Sequence, residues 1–159
     1  METNKTKREW EKNYKTATSA KTRNKIRKKI KQTISKKEGL TNTFIWRILK
    51  TTKNFVGVIP QDYLSQLEIK SFPTKFIVNL DLSNKSGSHW IGIALFSKTI
   101  EIYDSLGLIN KTWDLFPKFL MNFLKRFSSS HFIRLTPKLQ SVKSNMCGFY
   151  CLYFILFRS

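Results

Sequence analysis

Four side chains of this sequence are of the types that together carry out acyl transfer: His89, Asp104, Gln140 and Cys147. Cys147 supplies a thiol nucleophile and His89 an imidazole to take its proton. Asp104 supplies a carboxylate to orient the imidazole, and Gln140 an amide donor for an oxyanion. They occur in the order His, Asp, Gln, Cys, so only the fold can assemble them. Each also has an ordinary structural reading. A small Cys in an apolar helix is commonly packing, Asp104 before Ser105-Leu106-Gly107 starts a turn, and Gln140 is a loop residue. With only His89 and His131 present, a histidine upstream of a cysteine is also no rarity. The set stands above coincidence because the local contexts agree as well as the residue types.

From His89 the chain reads HWIGIALF, an apolar run with Ile91, Ile93 and Leu95 on one face, the pattern of a buried strand. Ser97-Lys98 form a two-residue turn and TIEIYDSLG follows, β-branched and aromatic with a Gly stop. In that antiparallel hairpin His89 begins one strand and Asp104 ends the next, so the two ends meet. The carboxylate would fix the tautomer of the imidazole and stabilise its charged form. Ser144 and Asn145 are good N-cap residues for an apolar helix, CGFYCLYFILF, which places Cys147 in the first turn. Backbone N–H groups and the helix dipole favour a thiolate there. The Cys147 N–H and the Gln140 amide would hold an oxyanion, and Gly148 would let a substrate backbone approach. Cys151, one turn on, reads as structural. A Cys147–Cys151 disulfide fits helical geometry poorly, and two cysteines without nearby histidines make a weak zinc site.

These motifs, His89-Trp90, Asp104-Ser105-Leu106-Gly107, and Gln140 followed by Cys147-Gly148-Phe149-Tyr150-Cys151, resemble the adenovirus protease (adenain) family. Its relatives occur in viruses and in Maverick/Polinton-type transposons, and the SUMO-specific Ulp-type proteases are more distantly similar. FVGVIPQDYL, Phe55 to Leu64, resembles the segment leading into the catalytic domain. The resemblance runs from about Leu40 to the C-terminus. It implies a papain-like site on a mixed sheet flanked by helices, with His89, Asp104 and Cys147 as the triad and Gln140 as the oxyanion residue. It further implies cleavage of capsid or core precursor proteins beside small residues, Gly above all, in the host nucleus or the virion. A deSUMOylating or deubiquitinating protease is the alternative within the enzyme class. A basic nucleic-acid-binding protein with a vestigial triad is the alternative outside it.

Composition is consistent with a small enzyme: 41% hydrophobic residues, two cysteines and no repeat. Two cysteines give no disulfide framework, which suits a reducing compartment. No stretch has the length and flanks of a transmembrane helix or signal peptide, and a monomer is expected. The chemistry requires no cofactor; the resemblance adds DNA as an activator to be tested. The net charge of +19 is uneven: residues 1–39 carry 14 Lys/Arg and 4 acids, net +10, and the remainder 15 and 6, net +9. Residues 1–39 read as a basic arm and 40–159 as the protease domain. In the arm Ile26, Ile30 and Ile34 predict a helix from about Lys21 to Lys37, and Trp10 and Tyr14 form another i,i+4 pair. A charge run is often only a solvated face, but this excess extends into the domain, so DNA is the expected partner of the arm beside a polypeptide substrate.

Within the domain, LTNTFIWRILKTTKNF predicts a helix capped near Thr41 or Asn42, VGVIPQDYL a loop turning at Pro60, and Lys75–Leu82 a strand. Lys111–Phe127 predicts a helix with a wide aromatic face, and HFIRLT a strand broken at Thr136-Pro137. Helix, strands, helix, strand, helix is an α+β order rather than an alternating βαβ array.

Overall fold

The computed structural model describes Lys28, residues 39–109 and residues 117–158. The arm helix and the Trp10/Tyr14 pair lie outside them, except that Lys28 is helical and exposed. Helix α1 (Asn42–Leu49) starts where a Thr side chain can cap it: Thr41 Oγ1 accepts from Phe44 N at 3.2 Å. Ile45 and Leu49, one turn apart, form its buried stripe. There follow β1 (Phe55–Pro60), a 3-10 turn (Gln61–Gln66), β2 (Thr74–Asn79), β3 (Trp90–Leu95), β4 (Thr99–Tyr103), α2 (Lys118–Lys125), β5 (Phe132–Leu135) and α3 (Cys147–Phe157). The five strands form one mixed sheet in the order β1-β2-β3-β4-β5. The outer pairs are parallel and the two inner pairs antiparallel. This is an α+β fold with helices on both faces of the sheet.

Three expectations need correction. VGVIPQDYL is not a loop: it is β1 followed by the 3-10 turn. Gly57 and Pro60 read as breakers, yet both are tolerated on a strand that pairs on one side only, and Pro60 is its last residue. β2 ends at Asn79 rather than Leu82, because Asn79 Oδ1 accepts from Asp81 N at 2.9 Å and turns the chain. Helix α2 begins at Lys118 among the described residues, after Pro117; the expected earlier turns, at 111–116, lie outside them.

Because both faces of the sheet are covered, β2 and β3 are buried almost throughout. Alternate residues serve two cores. Phe76, Val78, Ile91, Ile93, Ile100 and Ile102 face α2 and the 3-10 turn, where Leu64, Leu120 and Phe123 meet them. Ile77, Trp90, Ala94 and Tyr103 face α1 and α3, where Ile45, Leu49, Cys151 and Ile155 meet them. On that second face β3 offers small residues to α3. A Cβ on Gly92 would lie 2.7 Å from Phe154 Cδ1, and Phe154 is already stacked on Tyr103 at 5.0 Å. Gly92→Ala should therefore lift α3 from the sheet and destabilise the fold by about 1–3 kcal/mol, read as a lower Tm; an unchanged Tm would show that Phe154 moves freely.

The far end of α3 is tied down as well. Buried Lys75 on β2 donates through Nζ to Arg158 O at 2.8 Å and Ile155 O at 3.3 Å. The negative end of the helix meets a cation whose pKa burial has lowered. Glu101, buried on β4, pairs with Arg158 and with Arg134. The helix whose first residue is Cys147 is thus anchored at its last turn to β2 and β4.

Candidate active site

The hairpin register pairs Gly92 with Tyr103 and Leu95 with Ile100. Continued one step past Tyr103 it sets Asp104 opposite Ile91, and His89, two residues before Ile91, is the diagonal neighbour of Asp104 across the two strands. His89 Nε2 lies 2.7 Å from Asp104 Oδ1, and both side chains are almost wholly buried. The carboxylate is held in turn by the turn that follows it. Leu106 N donates to Oδ1 and Ile109 N to Oδ2, each at 3.0 Å, and Gly107 N closes the turn onto Asp104 O. Gly107 adopts φ 63°, and a Cβ there would lie 2.8 Å from Lys138 Cβ, so this turn needs glycine both for its conformation and for its contact.

With three donors on it, Asp104 stays ionised. Burial pushes its pKa up, but the hydrogen bonds from His89, Ile109 N and Leu106 N leave it below the ordinary carboxylate value. Nε2 of His89 therefore carries a proton toward the carboxylate. Nδ1, buried and without a hydrogen-bond partner, is the nitrogen left for the thiol. Burial alone would lower the His89 pKa. The Asp104 hydrogen bond and the negative charges of Asp104 and Cys147 outweigh it, raising the value to about 9.

Cys147 is the first residue of α3. Its pKa is pushed up by burial and pulled down further by His89 and by the N–H groups of Trp90 and Gly148, so it falls net below that of an ordinary thiol. The two shifts agree in direction: one favours imidazolium and the other thiolate. Cys151 is the internal control. It is free, fully buried and raised well above the ordinary value, first by burial and then by the charges of Cys147 and Asp104.

Two local expectations are corrected here. The residue before the helix is Met146, whose side chain makes no capping bond, so the N-cap position falls on neither Ser144 nor Asn145. The orphan N–H groups of the first turn are instead turned toward chemistry, since Gly148 N faces the thiol. Gly148 also does not leave room for a substrate. A Cβ there would lie 2.9 Å from Leu40 Cβ, so its smallness admits Leu40.

Gln140 lies on the loop between β5 and α3 and is 2% exposed, too enclosed for an ordinary loop residue. Its Oε1 accepts from Ser105 Oγ at 2.7 Å and its Nε2 donates to Ser144 O. Ser105 O receives Gln140 N at 2.7 Å and Leu139 N at 2.9 Å. The residue after Asp104 therefore grips the loop that carries Gln140.

Sequence reasoning quoted Trp90 and Ser105 as motif residues without giving either a role, and it gave Leu40 no part in the site. The Trp90 indole donates to Leu40 O at 3.1 Å, and its backbone N–H faces the thiol. A buried indole requires an acceptor, but nothing in the sequence points to Leu40, fifty positions away. Leu40 and Trp90 also wall a cavity of about 340 Å³ beside the site, completed by Val58, Pro60, Asn79 and Lys85.

The arrangement is one that can form and use a thiolate. Among the described residues no group of three or more His, Cys, Asp or Glu side chains is placed to hold a metal ion. No protein-family model and no curated protein matches the sequence. Among solved structures the chain is similar to the SUMO protease Ulp1 with its catalytic cysteine oxidized to a sulfinic acid. The TM-score is 0.49 and the identity 18%, over 79% of this chain and 68% of that one.

Proposed function

We propose that the chain is a cysteine endopeptidase with His89, Asp104 and Cys147 as its triad. The observation that carries this reading is His89, bound through Nε2 to an ionised carboxylate at 2.7 Å and shifted together with Cys147 toward imidazolium and thiolate. The thiolate attacks a peptide carbonyl carbon, forming the C–S bond as the carbonyl oxygen takes the negative charge. Gln140 Nε2 and the Cys147 N–H receive that oxyanion. The C–N bond then breaks, and His89 gives its proton to the leaving amine. Water attacks the thioester, His89 takes its proton, and the C–S bond breaks to release the acid.

The motifs that resemble adenain favour precursor proteins with small or glycine residues at the cleaved bond, and the cavity beside Trp90 is the natural seat for the substrate next to them. The test is digestion of a peptide library by the purified chain, with the products read by mass spectrometry. Cleavage that is lost when Cys147 is alkylated supports the assignment, whereas absence of any cleavage contradicts it. Release of SUMO or ubiquitin from conjugates without cleavage of free peptides would replace the endopeptidase by an isopeptidase.

The same proposal includes non-specific DNA binding through residues 1–39, supported by their net +10. Affinity should fall steeply with salt, each phosphate contact contributing about −0.9 to the log–log slope on duplex DNA. Removing residues 1–39 should flatten the slope and leave peptide cleavage in place. Anisotropy titrations at two salt concentrations test this, and unchanged affinity after the deletion would show that the arm is only solvated charge.

A further inference from the structure

Ser105 is fully buried and takes no part in the chemistry described above. Among the described residues its hydroxyl makes one hydrogen bond, 2.7 Å to Gln140 Oε1. Ser144 O can only accept, so the end of the Gln140 amide facing it must be Nε2. Oε1 then faces Ser105 Oγ, and the hydroxyl must donate. With backbone Gln140 N also bound to Ser105 O at 2.7 Å, the residue is held at three points, two of them on its side chain. One amide hydrogen is spent on Ser144 O and the second is left to point away from the clamp. Ser105 is also covalently next to Asp104, whose turn is docked on the Lys138–Gln140 loop through Leu139 N and Gly107.

We infer that Ser105 is a positioning residue for the oxyanion donor. By holding Oε1, it aims the free Nε2–H of Gln140 at the developing charge, and it couples that aim to the turn carrying the triad carboxylate. The inference rests on the endopeptidase reading. It differs from any claim about nucleophile formation, because the Ser105 hydroxyl is bonded to Gln140 and not to His89, Cys147 or the Asp104 carboxylate.

The test separates two reactions of one thiol. Alkylation of Cys147 by iodoacetamide displaces iodide from a saturated carbon and forms no oxyanion; hydrolysis of a fluorogenic peptide amide with glycines before the scissile bond does. Ser105→Ala should lower kcat for the peptide about ten-fold, a part of the 10²–10³ lost when an oxyanion donor is removed outright. Its KM, and the rate and pH profile of Cys147 alkylation, should stay as in the wild type. In a Gln140→Ala background Ser105→Ala should add no further loss. If the alanine variant does not fold, Ser105→Cys keeps the shape with a much weaker donor and should show the same split. Equal falls in alkylation and hydrolysis, full activity in the variant, or additive losses with Gln140→Ala would each overturn the inference. A wild type that is alkylated at Cys147 yet cleaves no peptide would instead overturn the endopeptidase reading.

Discussion

Cys147→Ala is expected to remove peptide cleavage altogether, a loss of roughly 10⁴-fold or more in kcat, while the protein melts close to the wild-type temperature. The two halves have separate causes. On the proposed mechanism Sγ of Cys147 forms the acyl intermediate, and its removal leaves His89 without a nucleophile to activate. Its removal costs little packing, because it lies at the first position of α3, where the thiol faces His89 and two N–H groups rather than apolar side chains alone. Cys151→Ala should do the reverse. Its side chain is fully buried between α3 and the sheet, so the variant loses a core contact and leaves a small cavity, at about 1 kcal/mol. Kinetics and melting curves of the two variants check the pair of claims. A Cys147→Ala protein that still cleaves, or a Cys151→Ala protein that folds normally but is dead, would reverse the assignment of the two thiols.

The second large effect is expected at Asp104. Asparagine there replaces an acceptor that three donors now share, and it removes the charge that lifts His89 to about 9 against the opposing pull of burial. The consequences follow in order. The imidazole pKa falls, the imidazolium next to Cys147 is lost near neutrality, and the thiol pKa rises for want of its partner. Activity of the wild type as a function of pH should rise as the thiol deprotonates, below the range of ordinary thiols, and fall as the pair loses its last proton near pH 9. In Asp104→Asn the rising limb should move up and the falling limb down. The remaining maximum should be about 10³–10⁴ lower, as for a triad whose imidazole is no longer held in the right tautomer. An unshifted profile with full activity would show that the carboxylate is structural only.

How much of this was legible in the sequence differs from element to element. The hairpin was readable because His89–Gly107 obeys local rules: alternation, a two-residue turn and a Gly stop. Antiparallel pairing then brings the ends that carry residues 89 and 104 together without knowledge of the rest. Helix α3 was readable from its apolar composition, and so was the position of Cys147 near its start. The cap was not, because Ser144 and Asn145 are good cap types, whereas the backbone there is turned by Gln140 binding Ser144 O, a contact set by tertiary structure. Strand β1 was misread for a similar reason. Gly57 and Pro60 carry breaker signals, and only the edge position of the strand in the sheet makes them harmless. Gly148 was assigned to the substrate when its neighbour is Leu40. The links from Ser105 to Gln140 and from Trp90 to Leu40 cross 35 and 50 positions, and no local pattern encodes such pairs.

The central claim is that the fold makes Cys147, and not Cys151, a thiolate held by His89. It is tested most directly by alkylating the folded wild-type protein with iodoacetamide across a pH series and mapping the label by mass spectrometry. Near pH 6 an unperturbed thiol with a pKa of about 8.5 is under roughly 1% thiolate and reacts slowly. Cys147 should already be labelled rapidly there, should slow in His89→Ala, and should carry all of the label while Cys151 stays unmodified until the protein unfolds. Labelling of Cys147 that only appears above about pH 8, as for a free thiol, or equal inertness of both cysteines, would contradict the account.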